Sequence, residues 1–316
     1  MNPTKDRSPG GRRAFLTGLG AAIVNASTIT SRAVAEPRSR LRLGGPVFVK
    51  SDDPAEIARA HRTLGYNAAY CPQAGLQDTA RLREIERSFA AENVVIAEVG
   101  AWRNMLESDP ARRRENIGYV IDRLALAEAV GARNCVNIAG SFNLRQWDGP
   151  DPRNLTREFF DATVENCRKV IDAIKPRRTK FTIEMMGWSL PDSPDSYLRL
   201  FRAVDREGFG VHVDVCNIIS SPERYYSNAA IIREIFKKLG RWVCSCHAKD
   251  LIGRNVHFAE TVPGRGGIDY RAYLAAITDL PFEAPLMLEH LSTPEEYEEG
   301  RIHILKTAAE MGIKLA

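Results

Sequence analysis

The sequence contains no long hydrophobic run. Its apolar stretch near the N-terminus, residues 18–24, is far shorter than the roughly 20 residues that a membrane-spanning helix needs. Beyond residue 40 the chain also lacks an internal repeat, a low-complexity segment and a long polar linker. These absences argue against a stable membrane association and a repeat array. A single large domain is therefore expected within the 316 residues.

The sequence also has no excess of either charge once its N-terminal segment is set aside. Of 44 basic and 40 acidic residues, five basic residues and one acidic residue fall within residues 1–35, which leaves 39 of each sign. A neutral domain offers no electrostatic attraction to nucleic acid or to an anionic membrane surface. Nucleic acid is therefore not an expected partner.

The first 35 residues have the order of parts found in an export signal. Arg12 and Arg13 form a twin-arginine pattern, a short apolar run follows, and Ala33-Val34-Ala35 supplies a cleavage site of small residues. We expect the twin-arginine export machinery to recognise residues 1–35, and residues 36–316 to form a periplasmic or secreted domain. The alternative for this segment is a disordered basic tail.

The six cysteines do not have the spacing of a zinc site. Cys244 and Cys246 are separated by one residue, and no second pair follows at ligand spacing. Export normally favours disulfides, but the twin-arginine route carries proteins that have already folded in the reducing cytoplasm. All six are therefore interpreted as structural free thiols.

Beyond residue 40, short β-rich runs alternate with longer amphipathic stretches. The β-rich runs predicted as strands are 41–49, 67–71, 94–99, 135–139, 181–186, 210–216, 243–248 and 286–291. The Asp-Pro pairs at residues 53–54 and 109–110 are typical of helix starts. Eight strand–helix units predict an α/β fold, a single (β/α)8 TIM barrel. The alternative, a doubly wound open sheet, lacks the expected Gly-rich loop after its first strand.

Four consecutive predicted strands, the fifth to the eighth, each carry a metal-type ligand near the carboxyl end. These residues are Glu184, Asp214, His247 and Glu289. Each interrupts an apolar run, where an unpaired charge would be costly, and the carboxyl ends of barrel strands converge on one point. A divalent cation would neutralise three carboxylates there. Three oxygen ligands and one nitrogen ligand favour Mn²⁺, with Mg²⁺, Co²⁺ and Zn²⁺ as alternatives; unrelated structural acids are the other interpretation.

This series resembles the xylose isomerase-like TIM barrels, the sugar phosphate isomerase/epimerase group, over residues 41–312. Supporting motifs are H-x-K-D at residues 247–250, V-P-G-R-G at 262–266 and L-E-H at 288–290. The resemblance implies one divalent metal held by Glu184, Asp214, His247 and Glu289. In the ketose epimerases of the group, the residues that match Glu184 and Glu289 also move the proton beside the carbonyl, so these two are the predicted catalytic residues.

Departures from the epimerase pattern leave the identity of the sugar open. Asn217 stands where the epimerases often have a substrate-binding histidine, and Arg254 lies one residue beyond the usual position of a substrate arginine. Asp250 and His257 are further candidates for substrate contact. Trp188 is the preferred candidate for stacking on a sugar ring, ahead of Trp102 after the third strand.

Other polar residues near the same rim have structural interpretations as well as functional ones. Glu98 and Asn137 are predicted either to line the pocket or to fill the barrel interior with hydrogen bonds. His212 is predicted to be a core histidine bonded to a ligand carboxylate, His290 to face the helix layer, and Lys249 to be an outward-facing charge.

The sequence thus predicts a metal-dependent isomerase or epimerase that converts a non-phosphorylated sugar or keto-sugar through a metal-stabilised enediolate. The alternative is a metal-dependent lyase or dehydratase that cleaves 3-keto-glycosides or related keto-sugars by β-elimination. A DNA-repair nuclease would need more histidines and phosphate-binding charge, and a non-catalytic binder would not exchange a substrate proton. Whether the protein forms a homo-oligomer is left open.

Overall fold

The computed structural model describes residues 39–254 and 257–316. Within them, eight parallel strands close into a barrel in the order β1-β10-β7-β6-β5-β4-β3-β2, so the prediction of a TIM barrel is confirmed. The barrel strands are β1 (Arg42–Gly44), β2 (Ala68–Tyr70), β3 (Val95–Gly100), β4 (Asn134–Asn137), β5 (Lys180–Glu184), β6 (Phe209–Val213), β7 (Val243–Ala248) and β10 (Pro285–Leu288). The predicted export signal lies outside the described residues and stays a prediction.

One pair of strands was not expected from the sequence. Strands β8 (Asp250–Arg254) and β9 (His257–Thr261) form an antiparallel hairpin directly after β7. Because this hairpin leaves the barrel at its carboxyl end, it belongs to the face where TIM barrels place their active sites.

The helices surround the barrel and begin at recognisable capping residues. They are α1 (Pro54–Thr63), α2 (Thr79–Ala91), α3 (Pro110–Val130), α4 (Arg157–Ile174), α5 (Pro194–Val204), α6 (Pro222–Tyr226), α7 (Asn228–Leu239), α8 (Tyr270–Thr278) and α9 (Pro294–Glu310). Asp53 and Asp109 accept hydrogen bonds from the amides of Ala55 and Arg112, and proline opens each helix. Both predicted helix starts are therefore confirmed.

The inside of the barrel is partly polar, unlike the apolar layer between the sheet and the helices. Asn134 on β4 donates to the Thr182 hydroxyl at 2.8 Å and accepts from the Ser245 hydroxyl at 3.2 Å. All three side chains are fully buried. A hydrogen-bonded interior of this kind supports the polar groups that lie above it at the carboxyl ends of the strands.

All six cysteines are free, and four of them are buried, in agreement with their interpretation as structural thiols. No helix in the described parts of the chain is long and apolar enough to cross a membrane.

Candidate active site

Four polar side chains converge at the carboxyl end of the barrel. Glu184 is the last residue of β5, Asp214 directly follows β6, His247 lies near the end of β7, and Glu289 directly follows β10. One ligand atom from each of the four lies within 4.8 Å of those from the others, and all four residues are buried. The structure therefore brings together the four residues that the sequence predicts as metal ligands.

The Nδ1 atom of His247 is at the centre of this group. It lies 3.0 Å from Glu184 Oε1, 2.9 Å from Glu289 Oε1 and 3.6 Å from Asp214 Oδ2. Burial opposes protonation of His247, but Glu289, Glu98 and Glu184 raise the pKa of its imidazole well above the usual value. The same field favours a divalent cation, which would take the place of the proton at this nitrogen.

Two further observations fit a cation. Asp214 Oδ2 is buried and makes no hydrogen bond of regular geometry, and the positive charge that offsets it is the Lys249 ammonium at 2.7 Å; a buried carboxylate oxygen offset mainly by charge is suited to bind a cation. The other ring nitrogen of His247, Nε2, lies 3.2 Å from Glu98 Oε2. A carboxylate behind a metal-binding histidine fixes its tautomer and ring orientation. Together they make this a candidate site for a divalent metal.

Glu98 on β3 links two histidines beneath the site. Its Oε1 lies 3.1 Å from His212 Nε2, while its Oε2 contacts His247. Burial raises the pKa of the Glu98 carboxyl, but the His247 and His212 imidazoles outweigh it and hold the pKa well below its usual range. His212 is thus a buried core histidine, as predicted, although its partner is Glu98 and not one of the four candidate ligands.

Lys249 belongs to the site, although the sequence predicted an outward-facing side chain. It is buried, and its Nζ lies 2.7 Å from Asp214 Oδ2 and 2.5 Å from Glu289 Oε1. Burial lowers the pKa of this ammonium, but the Asp214 and Glu289 carboxylates raise it well above the usual value. The prediction of an outward-facing charge is wrong because β7 ends at Ala248, so the alternation of strand side chains does not extend to Lys249.

The β8–β9 hairpin brings a fifth acid to the site. Glu260 Oε1 lies 3.3 Å from Lys249 Nζ, and its Oε2 lies 3.1 Å from His290 Nδ1. His290 has a φ of 55°, in the left-handed region, immediately after β10. This turn of the backbone brings its ring to Glu260 and the cavity above the site, so the expectation that it faces the helix layer is wrong.

The predicted substrate-binding residues have different positions. Asn217 lies in the site, because its side-chain Nδ2 donates to Glu184 Oε1 at 3.1 Å and its backbone N–H donates to Asp214 Oδ1 at 3.2 Å. Arg254 and His257 are paired and exposed at the tip of the hairpin, next to the gap in the described residues. Trp188 is 64% exposed in the loop after β5 and does not line the cavity described below.

Asp250 is bonded to the backbone and does not line the cavity described below. Its two carboxylate oxygens accept hydrogen bonds from the amides of Leu251, Gly264, Gly266 and Ile268 at 2.8–3.2 Å. The carboxylate therefore fastens the V-P-G-R-G turn to the base of the hairpin that carries Glu260.

A cavity of about 400 Å³ opens above the four candidate ligands. It is lined by Glu184, Glu289, Asn217, Glu260, His290, Asp148, Met186, Ile138, Trp102 and Trp147. Trp147, in the loop after β4, was not singled out in the sequence, because that long loop has no periodic pattern. A larger cavity of about 780 Å³ is lined by Lys180, Phe209 and Val243, the first residues of their strands, and so lies at the opposite end of the barrel. Chemistry is expected at the carboxyl end.

Comparison with known proteins gives a family and a fold. The family described as xylose isomerase-like TIM barrel matches residues 58–307, most of the chain. No curated protein matches by sequence. Solved structures with the same fold include epimerases, a dehydratase and an endonuclease.

Three of these solved structures illustrate the shared fold. A xylose isomerase-like TIM barrel protein from Mycobacterium smegmatis, in complex with magnesium, is 18% identical, with a TM-score of 0.59 over 86% of this chain and 97% of that one. The 3-keto-D-glucoside 4-epimerase from E. coli is 13% identical, with a TM-score of 0.62 over 85% and 100%. A probable 3-DHS dehydratase from Bacillus anthracis is 14% identical, with a TM-score of 0.62 over 84% and 97%. At these identities the similarity shows a shared fold.

Proposed function

The chain belongs to the xylose isomerase-like TIM barrel family, and we propose that it is a divalent-metal-dependent isomerase or epimerase of a non-phosphorylated sugar or keto-sugar. The observation that carries the proposal is the convergence of Glu184, Asp214 and Glu289 on Nδ1 of His247 beneath a cavity. A buried group of three acids and one imidazole is suited to a divalent cation.

The reaction requires removal and return of a proton on the carbon beside a carbonyl. A cation held by Glu184, Asp214, His247 and Glu289 would supply Lewis acidity to the substrate oxygens. Glu184 lines the cavity and takes the proton as the carboxylate base on its side. Glu289 follows β10, and strands β7 and β6 lie between β10 and β5 in the barrel. Glu289 therefore returns a proton from its own side of the cavity.

The charges around the cavity support a neutral substrate. The acids Glu184, Glu289, Glu260 and Asp148 line it, and no arginine or lysine is among the lining residues that the structure describes. A phosphate group would find no arginine or lysine in this lining to pair with. This favours a non-phosphorylated sugar over a sugar phosphate or a nucleic acid backbone, and with it an isomerase over a nuclease.

We propose manganese as the metal, on the hardness of the ligands, and export by the twin-arginine route after folding. The structure in complex with magnesium from Mycobacterium smegmatis supports a divalent ion of this kind. Loading before export would avoid competition from copper and zinc, which bind such ligands more tightly. Copper or zinc in protein isolated from the exported compartment would contradict this part of the proposal.

A lyase is the second candidate, and His290 and Glu260 favour it. Both line the cavity beside Glu289 and contact each other at 3.1 Å. After Glu184 removes the proton, loss of an oxygen substituent at the β-carbon needs a proton donor at the leaving oxygen, and these residues can provide one. The shared fold with a probable 3-DHS dehydratase agrees with such an outcome.

The test uses manganese-loaded protein in deuterated water with free ketoses and 3-keto-glycosides, followed by NMR. We expect deuterium to appear beside the carbonyl with the carbon skeleton intact. Release of the aglycone would establish the lyase instead. Glu184→Gln and Glu289→Gln should each abolish turnover in a folded protein, because each lacks one of the two proton carriers. Turnover that persists in either variant would exclude that residue from proton transfer, and metal binding without exchange by the wild type would indicate a non-catalytic binder.

A further inference from the structure

Two tryptophans are shared by the cavity above the candidate ligands and a second cavity. Trp102 and Trp147 line the first cavity, and they also line an adjoining cavity of about 340 Å³, here called the outer cavity. The outer cavity is otherwise lined by Arg103, Asn104, Glu107, Arg112, Glu115 and Asn116. Both indoles are partly exposed, 37% for Trp102 and 41% for Trp147. Exposed aromatic surface at a cavity is typical of a ligand-binding position.

We propose that the outer cavity is a subsite for the second ring of a two-ring substrate, a glycoside of the keto-sugar whose other unit is a neutral pyranose. This inference rests on the proposed function and narrows its substrate class. One ring lies above the candidate ligands, and the second lies beyond Trp102 and Trp147. Each cavity is of the size of a small-ligand pocket, about 300 Å³ or more.

Trp102 is fixed in position by its own loop. A Cβ on Gly100 would lie 2.5 Å from Trp102 Nε1, so the indole packs against bare backbone that only glycine provides. Asn137 at the end of β4 holds the next residue, Arg103, from both sides, with hydrogen bonds of 3.0 Å to its amide and its carbonyl. The guanidinium of Arg103 in turn donates to the carbonyl of Trp102 at 2.9 Å.

The loop of Trp147 is fixed by two asparagines. Asn143 accepts hydrogen bonds from the amides of Arg145 and Gln146 and donates to the carbonyl of Pro150. Asn154, which is fully buried, donates to the carbonyl of Gly149 at 3.2 Å. Trp147 therefore lies between fixed points on both sides. A surface held before the ligand arrives loses little conformational entropy on binding.

The residues that line the outer cavity indicate the chemistry of the second ring of the substrate. Arg103 and Arg112 are balanced by Glu107 and Glu115, so the cavity has no net charge to attract a phosphate or a carboxylate. Charged and amide side chains can exchange hydrogen bonds with hydroxyl groups, and indole faces pack on the apolar faces of a pyranose. A neutral sugar ring satisfies both kinds of surface.

The test compares one-ring and two-ring ketones in the full-length, manganese-loaded protein. The probes are 3-keto-glucose, 3-keto-maltose and 3-keto-cellobiose, and the readout is kcat/KM for deuterium incorporation beside the carbonyl. We expect at least one two-ring ketone to exceed 3-keto-glucose by about tenfold, the size expected from stacking on aromatic faces. Two variants should bring the ratio of the two-ring to the one-ring kcat/KM close to one. Trp147→Ala removes one indole, and Glu115→Trp fills the outer cavity from an exposed helical position.

Arg114→Trp is the matched control, since Arg114 is also exposed on α3 but does not line the outer cavity; it should keep the wild-type ratio. Exchange of 3-keto-glucose with no gain for either two-ring ketone would overturn the subsite and leave the proposed function standing. A gain that survives both Trp147→Ala and Glu115→Trp would overturn it as well. Bound metal without exchange of any of the three ketones would reject the proposed function, and the subsite with it.

Discussion

At the scale of single residues, Lys249 is the group whose role is least apparent from the sequence. Its ammonium contacts Asp214, Glu289 and Glu260, and it is buried among them. Without it, several carboxylates would be desolvated next to one another with only His247 to offset their charge. Lys249 therefore carries part of the positive charge that keeps these acids together, and a bound cation would carry the rest.

The variant Lys249→Met tests this role. We expect it to lower the free energy of unfolding of metal-depleted protein by about 3–5 kcal/mol, the cost of leaving buried charges unpaired. Added Mn²⁺ should restore part of the loss, because the cation neutralises the same acids. The measurement is urea unfolding with a chelator and again with manganese.

Lys238→Met provides the control for that experiment. Lys238 pairs with Asp195 and Glu234 on the surface, where water screens the ion pairs and their loss has little effect. Equal destabilisation by the two variants would show that the contacts of Lys249 are no more important than a surface pair.

At the scale of elements, the β8–β9 hairpin depends on one carboxylate at its base. Asp250 accepts four backbone hydrogen bonds, three of them from the segment 264–268. Asp250→Asn puts an amide group opposite amide donors. We expect a loss of stability of about 2–3 kcal/mol and faster hydrogen–deuterium exchange in residues 262–268.

Asp161→Asn is the comparison for this prediction, since Asp161 is an exposed carboxylate paired with Arg157 on α4. It should leave exchange in residues 262–268 unchanged. If Asp250→Asn also left that exchange unchanged and only weakened turnover, Asp250 would act on substrate, as the sequence suggested, and the anchoring role would be wrong.

The carboxyl ends of the strands were predictable from the sequence, whereas the residues just beyond them were not. Glu184, Asp214, His247 and Glu289 could be predicted to converge, because each ends an apolar run and parallel barrel strands share one rim. The positions of Lys249 and His290 could not, because the alternation of side chains holds only inside a strand. Trp147 lies in a loop fixed by asparagine side chains, and no periodic pattern in the sequence indicates such contacts.

At the scale of the whole molecule, the candidate ligands join half of the barrel. They come from β5, β6, β7 and β10, which are neighbours in the closed sheet. An ion held by all four would link these strands at their carboxyl ends and would bind the folded barrel far more tightly than the unfolded chain. Metal binding is therefore expected to stabilise the entire domain, and not just the cavity.

Removal of the metal should accordingly lower the midpoint of thermal unfolding. An ion present at about a thousand times its Kd adds about 4 kcal/mol, which corresponds to a rise in Tm of about 7 °C for a domain of this size. The measurement is calorimetry of chelated protein before and after addition of Mn²⁺, Mg²⁺, Co²⁺ or Zn²⁺. Asp214→Asn alters one candidate metal ligand, which also contacts Lys249. This variant should therefore reduce the shift in Tm for every ion. A wild-type Tm that none of the four ions changes would contradict the metal site itself. A shift that Asp214→Asn retains in full would place the ion elsewhere in the protein.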